Sequence, residues 1–208
     1  MGRRGEYMSS QLILNNSVVN DEWQLVMPPE AETAIKKQAG KVVIFKLTGE
    51  GSLTKEQIEN TTFPKDGKVV LPVSVFLHHQ QDLSSRISKQ EIGIWIETHE
   101  EIDSFINDID DINKLPLISV RVKKFADGRI FSIGNLLRMK YKYKNELRAI
   151  GDVLRDQLFF LKRSGFNSFL IRKDRDAQDA LLGLSDFTNS YQGAVDQKKP
   201  AWKITKRN

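Results

Sequence analysis

The chain has 208 residues, which suits one large domain or one domain with extensions, and its hydrophobic share of 39% supports a packed core beside polar loops or tails. The sequence contains no cysteine, which excludes disulfides, thiolate nucleophiles and cysteine-ligated metal or iron–sulfur sites belonging to this chain. The net charge is +5, but no motif of stacking aromatic residues accompanies it, so we do not expect a nucleic-acid partner.

For residues 1–66 the sequence pattern predicts a tail, short strands and a variable segment. No run of about 18 apolar residues predicts a membrane span, and the basic start lacks the apolar segment of a secretory signal. The predicted elements are a disordered start to about residue 10, β-type runs within Gln11 to Val26, a short helix at Glu30 to Gln38, a strand at Lys41 to Leu47, and a small helix at Thr54 to Asn60. The last of these lies in the polar stretch Gly49 to Asp66, which we interpret as an insertion or variable segment.

From Lys68 onward the pattern becomes a regular alternation of strand and helix. The predicted strands are Val69 to Val73, Ile92 to Ile96, Pro116 to Val122, Glu146 to Ile150 and Phe166 to Ile171. The predicted helices are Ser74 to Asp82, Glu100 to Ile112, Ser132 to Tyr141, Val153 to Arg163 (closed by Gly165), and a last one at Arg175 to Leu184. A docking segment at Phe187 to Gln192 and a basic tail from Ala194 complete the chain.

This alternation predicts an α/β fold with a mostly parallel sheet and right-handed crossovers. An open doubly wound sheet and a partial barrel both fit the pattern. We divide the chain into an N-terminal extension (1–66), an α/β domain (67–193) and a basic C-terminal tail (194–208).

Charge is distributed unevenly along the α/β domain. An acidic stretch without Lys or Arg contains Glu97, Glu100, Glu101, Asp103, Asp108, Asp110 and Asp111. The basic stretch that follows contains Arg121, Lys123, Lys124, Arg129, Arg138, Lys140, Lys142, Lys144 and Arg148. This asymmetry suits an acidic partner surface or a small anion as well as it suits a phosphate backbone.

Two loops leave the carboxyl ends of predicted parallel strands, where α/β sheets place their ligands. One loop is Lys123 to Arg129 and the other is Gly151–Asp152. If their strands are neighbours, Asp127, Arg129 and Asp152 converge on one rim, and a helix start beside an arginine binds anions readily. The alternative is structural, with Ser132 and Asp152 as helix caps and Asp127–Gly128 as a turn.

Several further residues have two interpretations. An ion-pair network or a binding surface accounts equally for Arg138, Glu146, Arg148, Arg155 and Asp156. We expect Gln157 to bond a neighbouring loop, and we expect Phe159, Phe160, Phe166 and Phe169 to belong to the core. Ser164 has no histidine nearby in sequence to activate it, and the three histidines show no metal-ligand spacing, so no metal site is predicted.

The second half of the α/β domain carries a family resemblance. Its motifs are Phe125-x-Asp127-Gly128-Arg129, Ser132-x-x-x-Leu136-Leu137-Arg138, Tyr143-x-x-Glu146-Leu147-Arg148-Ala149-x-Gly151-Asp152-Val153-Leu154-x-Asp156-Gln157, and Gly165-Phe166. They resemble the bacterial family called domain of unknown function 934, over about Lys68 to Gln192. The chain departs from the family pattern at Ser164, where a cysteine is usual, and at Val122, where many members have an aromatic residue.

The resemblance implies a cytoplasmic role in assimilatory sulfate reduction. Members of that family are commonly encoded beside the haemoprotein of sulfite or nitrite reductase and are often described as oxidoreductases of sulfite reduction. The implied partner is therefore sulfite reductase or its electron donor. The resemblance does not itself assign site residues. From the residues we predict a site with Asp127 and Asp152 as catalytic residues, Arg129, Arg138, Arg148 and Arg155 as anion- or partner-binding residues, and Gly128, Ser132, Glu146, Gly151, Asp156 and Gln157 as supporting residues.

Three functions remain open at this point. The first is an accessory protein that binds sulfite, a sulfated nucleotide or an acidic partner through its arginines. The second is an enzyme that uses an aspartate as acid or base with a borrowed flavin or nicotinamide, although no dinucleotide or P-loop fingerprint identifies a cofactor. The third is a non-catalytic interaction module, in which the charged motif holds the fold together.

Overall fold

The computed structural model describes residues 11–29, 35–38, 41–44, 51–187 and 190–204. The strands are β1 (Leu12–Leu14), β2 (Ser17–Val19), β3 (Trp23–Leu25), β4 (Ile35–Gln38), β5 (Lys41–Ile44), β6 (Lys68–Pro72), β7 (Ile92–Glu97), β8 (Leu117–Val122), β9 (Glu146–Gly151) and β10 (Ser168–Leu170). The α-helices are α1 (Lys55–Glu59), α2 (Val73–His79), α3 (Ser84–Ser88), α4 (Ile102–Ile106), α5 (Arg129–Met139), α6 (Arg155–Arg163), α7 (Ala177–Leu182) and α8 (Ala201–Ile204).

Within the described residues the main sheet has eight strands in the order β2-β1-β10-β9-β8-β7-β6-β3, and β4 and β5 form a separate antiparallel pair. The five neighbouring pairs from β3 to β10 are all parallel, whereas β1 joins β10 and β2 in antiparallel fashion. The predicted mostly parallel α/β sheet is confirmed.

The strand order distinguishes between the two predicted architectures. A doubly wound sheet reverses its order at a switch point, whereas a barrel adds each strand beside the previous one. Here β6 to β10 follow one another in sequence order, and the sheet curls into a half-barrel. The partial barrel is therefore the correct alternative, with short N-terminal strands at both of its edges.

The sheet has two buried faces with different contents. The helices pack on one face, where their apolar residues join strand residues such as Ile94, Val120 and Ala149 in a single large core. The opposite face, which we call the inner face, carries a smaller cluster of Val70, Trp95, Leu117 and Ile150. Burial on both faces explains why these strands are nearly continuous apolar runs.

Two predicted helices are wrong over part of their length. Ile35–Gln38, assigned to a helix by sequence, is a strand paired with Lys41–Ile44, while residues 30–34 lie outside the described residues. The acidic helix predicted from Glu100 to Ile112 is reduced to α4, followed by a 3-10 turn at Ile112–Lys114. Asp111 starts that turn because its carboxylate accepts the backbone N–H of Asn113 at 2.9 Å.

Helix boundaries also differ from the prediction. Ser132 lies inside α5 and caps nothing, since α5 begins at Arg129 after Gly128. Asp152 does not cap α6 either, because that helix begins at Arg155 and the side chain of Gln157 accepts the backbone N–H of Leu154. The helix at Arg175 to Leu184 is shorter than predicted, and it is not the last, because α8 follows within the predicted tail. The predicted disorder before residue 10 lies outside the described residues.

Candidate functional site

A cleft opens at the carboxyl ends of β6, β7 and β8. Its volume is about 250 Å³, below the range of roughly 300–1,000 Å³ typical of pockets for drug-sized ligands. It is lined by Pro28, Pro29, Gly51, Leu53, Gln57, Pro72, Ser74, Trp95, Glu97, His99, Glu100, Arg121 and Lys123. Parallel sheets and barrels place ligands at this end of the strands, which makes the cleft the candidate site.

The charged part of the cleft is centred on Glu97, the last residue of β7. Arg121 lies beside it in the register of β8, and its guanidinium is 3.1 Å from Oε1 of Glu97. The ammonium of Lys123 is also 3.1 Å from the same oxygen. The side chain of Glu97 is 10% exposed, whereas those of Arg121 and Lys123 are 29% and 49% exposed, so both cations face the cleft. The lining holds two cations, Arg121 and Lys123, and two acids, Glu97 and Glu100, so its formal charges balance. Both cations are exposed to the cleft, whereas Glu97 is nearly buried, so an anion in the cleft meets the cations first.

Two polar atoms of the cleft lack a hydrogen bond. Within the described part of the chain, Oε2 of Glu97 and Nε2 of His99 are buried without a hydrogen-bond partner. Buried polar groups in folded proteins nearly always have a hydrogen-bond partner. Unpaired atoms at a cleft therefore indicate that a ligand or a water molecule binds there. Beside them, the carboxylate of Glu100 accepts the backbone N–H of Glu97 at 2.6 Å. Burial raises the pKa of Glu100.

The apolar wall of the cleft is built by the inner face and by the N-terminal extension. The indole N–H of Trp95 donates to the carbonyl of Val26 at 2.9 Å, which locks the ring. The guanidinium of Arg121 lies 5.6 Å from the centre of that ring, a cation–π contact that orients the arginine. On the other side, Gln57 of α1 donates to the carbonyl of Pro29 at 2.8 Å. The predicted variable segment therefore forms one wall of the cleft.

Asp127 and Arg129 form an ion pair next to the cleft. The carboxylate of Asp127 accepts hydrogen bonds from Nε and a terminal nitrogen of Arg129 at 2.9 and 2.8 Å, and from the hydroxyl of Thr98 at 2.5 Å. The hydrogen bonds from Arg129 hold the pKa of Asp127 far below its usual range. Thr98 follows Glu97 directly, so its hydrogen bond to Asp127 holds the end of β7 against the loop after β8.

Asp152, in the loop after β9, contacts the loop after β8. Its carboxylate accepts the backbone N–H of Phe125 at 3.0 Å and ion-pairs with Arg172 at 2.8 Å. Gln157 donates to the carbonyl of Phe125 at 3.0 Å, as expected for this residue. The loops after β8 and β9 thus converge on one rim, because β8 and β9 are parallel neighbours.

The turn after β9 requires the glycine that precedes Asp152. Gly151 has a φ of +97°, and a Cβ at this position would lie 2.1 Å from the carbonyl oxygen of Val122. The backbone N–H of Asp152 bonds the same oxygen at 2.8 Å. Gly151 therefore shapes the rim through its backbone.

Arg148 is buried on the inner face, away from the rim, with a side chain that is 3% exposed. Its guanidinium bonds both carboxylate oxygens of Asp21 at 3.0 and 2.9 Å and Oε1 of Glu146 at 2.8 Å. Ser168 lies 3.2 Å from its Nε. Of the five residues predicted to form an ion-pair network, Glu146 and Arg148 pair with each other here. The third member of this cluster, Asp21, was not predicted, and it ties the segment before β3 to β9.

Arg138 lies at the amino ends of the strands, opposite the cleft. It donates to the backbone carbonyls of Gly165, Tyr143 and Asn145 and to the side chain of Asn167, at 2.7 to 3.1 Å. These residues belong to the loops that lead into β9 and β10. The structure therefore does not bring Arg138 together with Asp127 or Arg129.

The remaining predicted residues surround the start of α6 or lie on the surface. Arg155 pairs with Asp179 at 3.1 Å and Asp186 at 3.7 Å, and Asp156 stands in the first turn of the same helix. The hydroxyl of Ser164 donates to the carbonyl of Phe160. The ring of Phe160 is 53% exposed, so its assignment to the core is wrong, whereas Phe166 and Phe169 are buried as expected.

The sequence reasoning missed the charged residues of the cleft. Glu97, Arg121 and Lys123 appeared only as members of an acidic and a basic stretch, and His99 only as one of three histidines without metal-ligand spacing. Alternation along the strands identifies the residues at the strand ends. Glu97 and Arg121 lie an even number of positions after Trp95 and Leu117, so they belong to the same inner face of the sheet. Polar residues that continue an apolar face to the carboxyl end of a strand are typical of sites in barrel-like folds.

The described residues contain no cluster of three histidine or acidic side chains suited to a metal ion. None of the described helices is long and apolar enough to cross a membrane.

Comparison with known proteins identifies a family for this chain. No curated protein matches the sequence. The family model described as "Bacterial protein of unknown function (DUF934)" matches residues 93–202, just over half of the 208 residues. That segment includes Trp95, Glu97, Arg121 and Lys123, together with the motifs from Phe125 to Phe166. The chain therefore belongs to the DUF934 family of bacterial proteins.

Proposed function

We propose that this protein is a cytoplasmic accessory component of assimilatory sulfite reduction that binds a small oxyanion in the cleft at the carboxyl end of the half-barrel. The observation that carries the proposal is the pair of cations, Arg121 and Lys123, each 3.1 Å from one oxygen of Glu97 and both facing the cleft. Oxyanions are bound by arginine and lysine through charge-assisted hydrogen bonds.

The size of the cleft supports a small ligand. A volume of about 250 Å³ is below that of sites for drug-sized molecules. Sulfite therefore suits the cleft better than a sulfated nucleotide does. The pathway and the partner, sulfite reductase or its electron donor, rest on the family resemblance. The exposed Lys123, Lys124 and Phe125 at the rim offer a basic surface on which an acidic partner would dock.

The enzyme alternative has less support. A general acid or base needs a pKa near the working pH. The hydrogen bonds from Arg129 and Thr98 drive the pKa of Asp127 strongly downward, so this carboxylate stays ionised near neutrality. Both carboxylate oxygens of Asp152 already accept hydrogen bonds, one from Arg172 and one from the backbone N–H of Phe125. We therefore assign both aspartates to positioning of the rim.

Growth on defined sulfur sources tests the proposal. We expect a deletion strain to grow on sulfide but not on sulfite or sulfate. Wild-type protein should restore growth, whereas Arg121→Met and Lys123→Met should restore it poorly because each removes a cation from the cleft. Lys124→Met is the matched control, since it removes the neighbouring exposed charge outside the cleft lining.

Two results would count against the proposal. Normal growth of the deletion strain on all three sulfur sources would remove the role in sulfite reduction. Full complementation by both Arg121→Met and Lys123→Met would remove the cleft from that role. Thermal unfolding of each variant confirms that a loss of growth does not come from a loss of fold.

A further inference from the structure

We infer that the cleft selects an oxyanion that carries a proton, such as hydrogen sulfite or monohydrogen phosphate, and rejects sulfate. The inference rests on the proposed function, because it names the chemistry of the ligand held by Arg121 and Lys123. It is based on the different hydrogen-bonding environments of the two oxygens of the Glu97 carboxylate.

The two oxygens of Glu97 have different environments. Oε1 receives both cations at 3.1 Å. Oε2 is buried and has no hydrogen-bond partner among the described residues. An ionised oxygen held away from water without a donor is costly, so the bound state of the cleft should supply that donor.

The donor that fits this oxygen belongs to the ligand and is not a free cation. A metal ion or ammonium group approaching Oε2 would face the positive charges of Arg121 and Lys123, which bond the other oxygen of the same carboxylate. Glu100, the second acid of the lining, has a pKa raised by burial, which weakens its attraction for such a cation. An anion meets the opposite situation, because the two cations attract it into the cleft. An anion with an O–H group satisfies both requirements, since its charged oxygens face the cations while its proton points to Oε2.

The same geometry disfavours an anion without a proton. Sulfate is fully deprotonated near neutral pH, so one of its oxygens would meet the oxygen of Glu97 without a hydrogen between them. Monohydrogen phosphate keeps its proton well above neutral pH, and sulfite takes up a proton near neutrality, so both anions can donate a hydrogen bond in their protonated forms. A site that hydrogen-bonds a hydroxyl rejects analogues lacking it, because the buried partner is then left unpaired. Nε2 of His99, also without a partner in the described part of the chain, offers a second polar contact.

Titration calorimetry with inorganic phosphate, sulfite and sulfate tests the inference. In slightly alkaline buffer phosphate and sulfate have the same charge and shape, and they differ in the single proton. We expect phosphate to bind about 10- to 100-fold more tightly than sulfate, the range for one hydrogen bond to a charged group. Sulfite is largely deprotonated in this buffer, so its affinity should rise as the pH is lowered through neutrality and hydrogen sulfite forms.

Glu97→Gln provides the second measurement. The amide keeps the shape of the side chain and can donate as well as accept, so sulfate should become acceptable. We expect the preference for phosphate over sulfate to fall to within about threefold, because the charged acceptor is gone. Glu101→Gln is the matched control, since Glu101 is an exposed acid outside the cleft lining and its replacement should leave the preference unchanged.

The outcomes separate the inference from the proposed function. Equal binding of sulfate and phosphate by the wild-type protein would overturn the inference while leaving an oxyanion site in place. An undiminished preference in Glu97→Gln would overturn it as well. Absence of binding for all three anions would overturn the proposed function and the inference together. If Glu97→Gln fails to fold, the ratio measured with the wild-type protein decides by itself.

Discussion

Replacement of Arg148 by methionine distinguishes a structural role from a ligand-binding role for this residue. The sequence motif suggests that Arg148 binds an anion, but its side chain is 3% exposed and bonds Asp21, Glu146 and Ser168. Methionine keeps much of the volume and removes the charge. The variant therefore leaves two carboxylates facing each other on the inner face without their shared cation.

The expected loss of stability follows from that geometry. Removing one partner of a buried ion pair costs about 3–5 kcal/mol, because the other charge stays buried and unpaired. The side chains of Asp21 and Glu146 keep 25% and 16% exposure, so water relieves part of the cost. We therefore expect about 3 kcal/mol, the lower end of that range. For a chain of this size the loss lowers Tm by roughly 6–12 °C.

Urea unfolding followed by circular dichroism measures the effect, with oxyanion titration in parallel. We expect a lower free energy of unfolding and an unchanged affinity, because Arg148 does not line the cleft. The triple variant Arg148→Met, Asp21→Asn, Glu146→Gln should regain most of the stability, since no uncompensated charge remains. A variant that melts like the wild type but no longer binds oxyanions would refute this reasoning and return Arg148 to the site.

Three further predictions concern the rim and the opposite end of the sheet. Gly151→Ala should lower the free energy of unfolding by about 1–3 kcal/mol in urea titration, because its Cβ would meet the carbonyl of Val122; a neutral result would mean that the loop moves aside. The depressed pKa of Asp127 means that its stabilising effect is complete above its ordinary pKa of about 4 and is lost on acidification. Asp127→Asn should therefore lower stability at neutral pH and show a weaker acid dependence than the wild type; parallel pH profiles would contradict this. Arg138→Met should lower Tm without changing oxyanion affinity, because its hydrogen bonds lie at the amino ends of the strands; weaker binding measured by calorimetry would contradict this.

Local patterns predicted much of the fold. The apolar runs of β6, β7 and β8 are buried on both faces, so their hydrophobicity identifies them without knowledge of their neighbours. The helices α5 and α6 were recognised from their apolar periodicity, with ends displaced by a few residues. Those ends depend on single side-chain contacts, such as that of Asp127 with the backbone N–H of Arg129.

The failures occurred where distant contacts override local preference. Ile35–Gln38 pairs with Lys41–Ile44 as a strand, although the sequence predicted a helix at these positions. Arg138 carries a family motif and a positive charge, yet its partners are backbone carbonyls of loops that fold back to it. A sequence records that a charge is present, and only the fold determines which acceptor neutralises it.

The sequence by itself determined the alternation of strand and helix, the family, and the two loops that meet at the rim. These features depend on residues close together in the chain, or on the rule that parallel strands present their carboxyl ends on one side. The tertiary structure decided the half-barrel order and the cleft around Glu97. Glu97 and Arg121 are 24 positions apart, and Asp21 and Arg148 are 127 apart. The register between β7 and β8 places Glu97 beside Arg121. Asp21 and Arg148 pair within the curled sheet. Local composition therefore could not predict either ion pair.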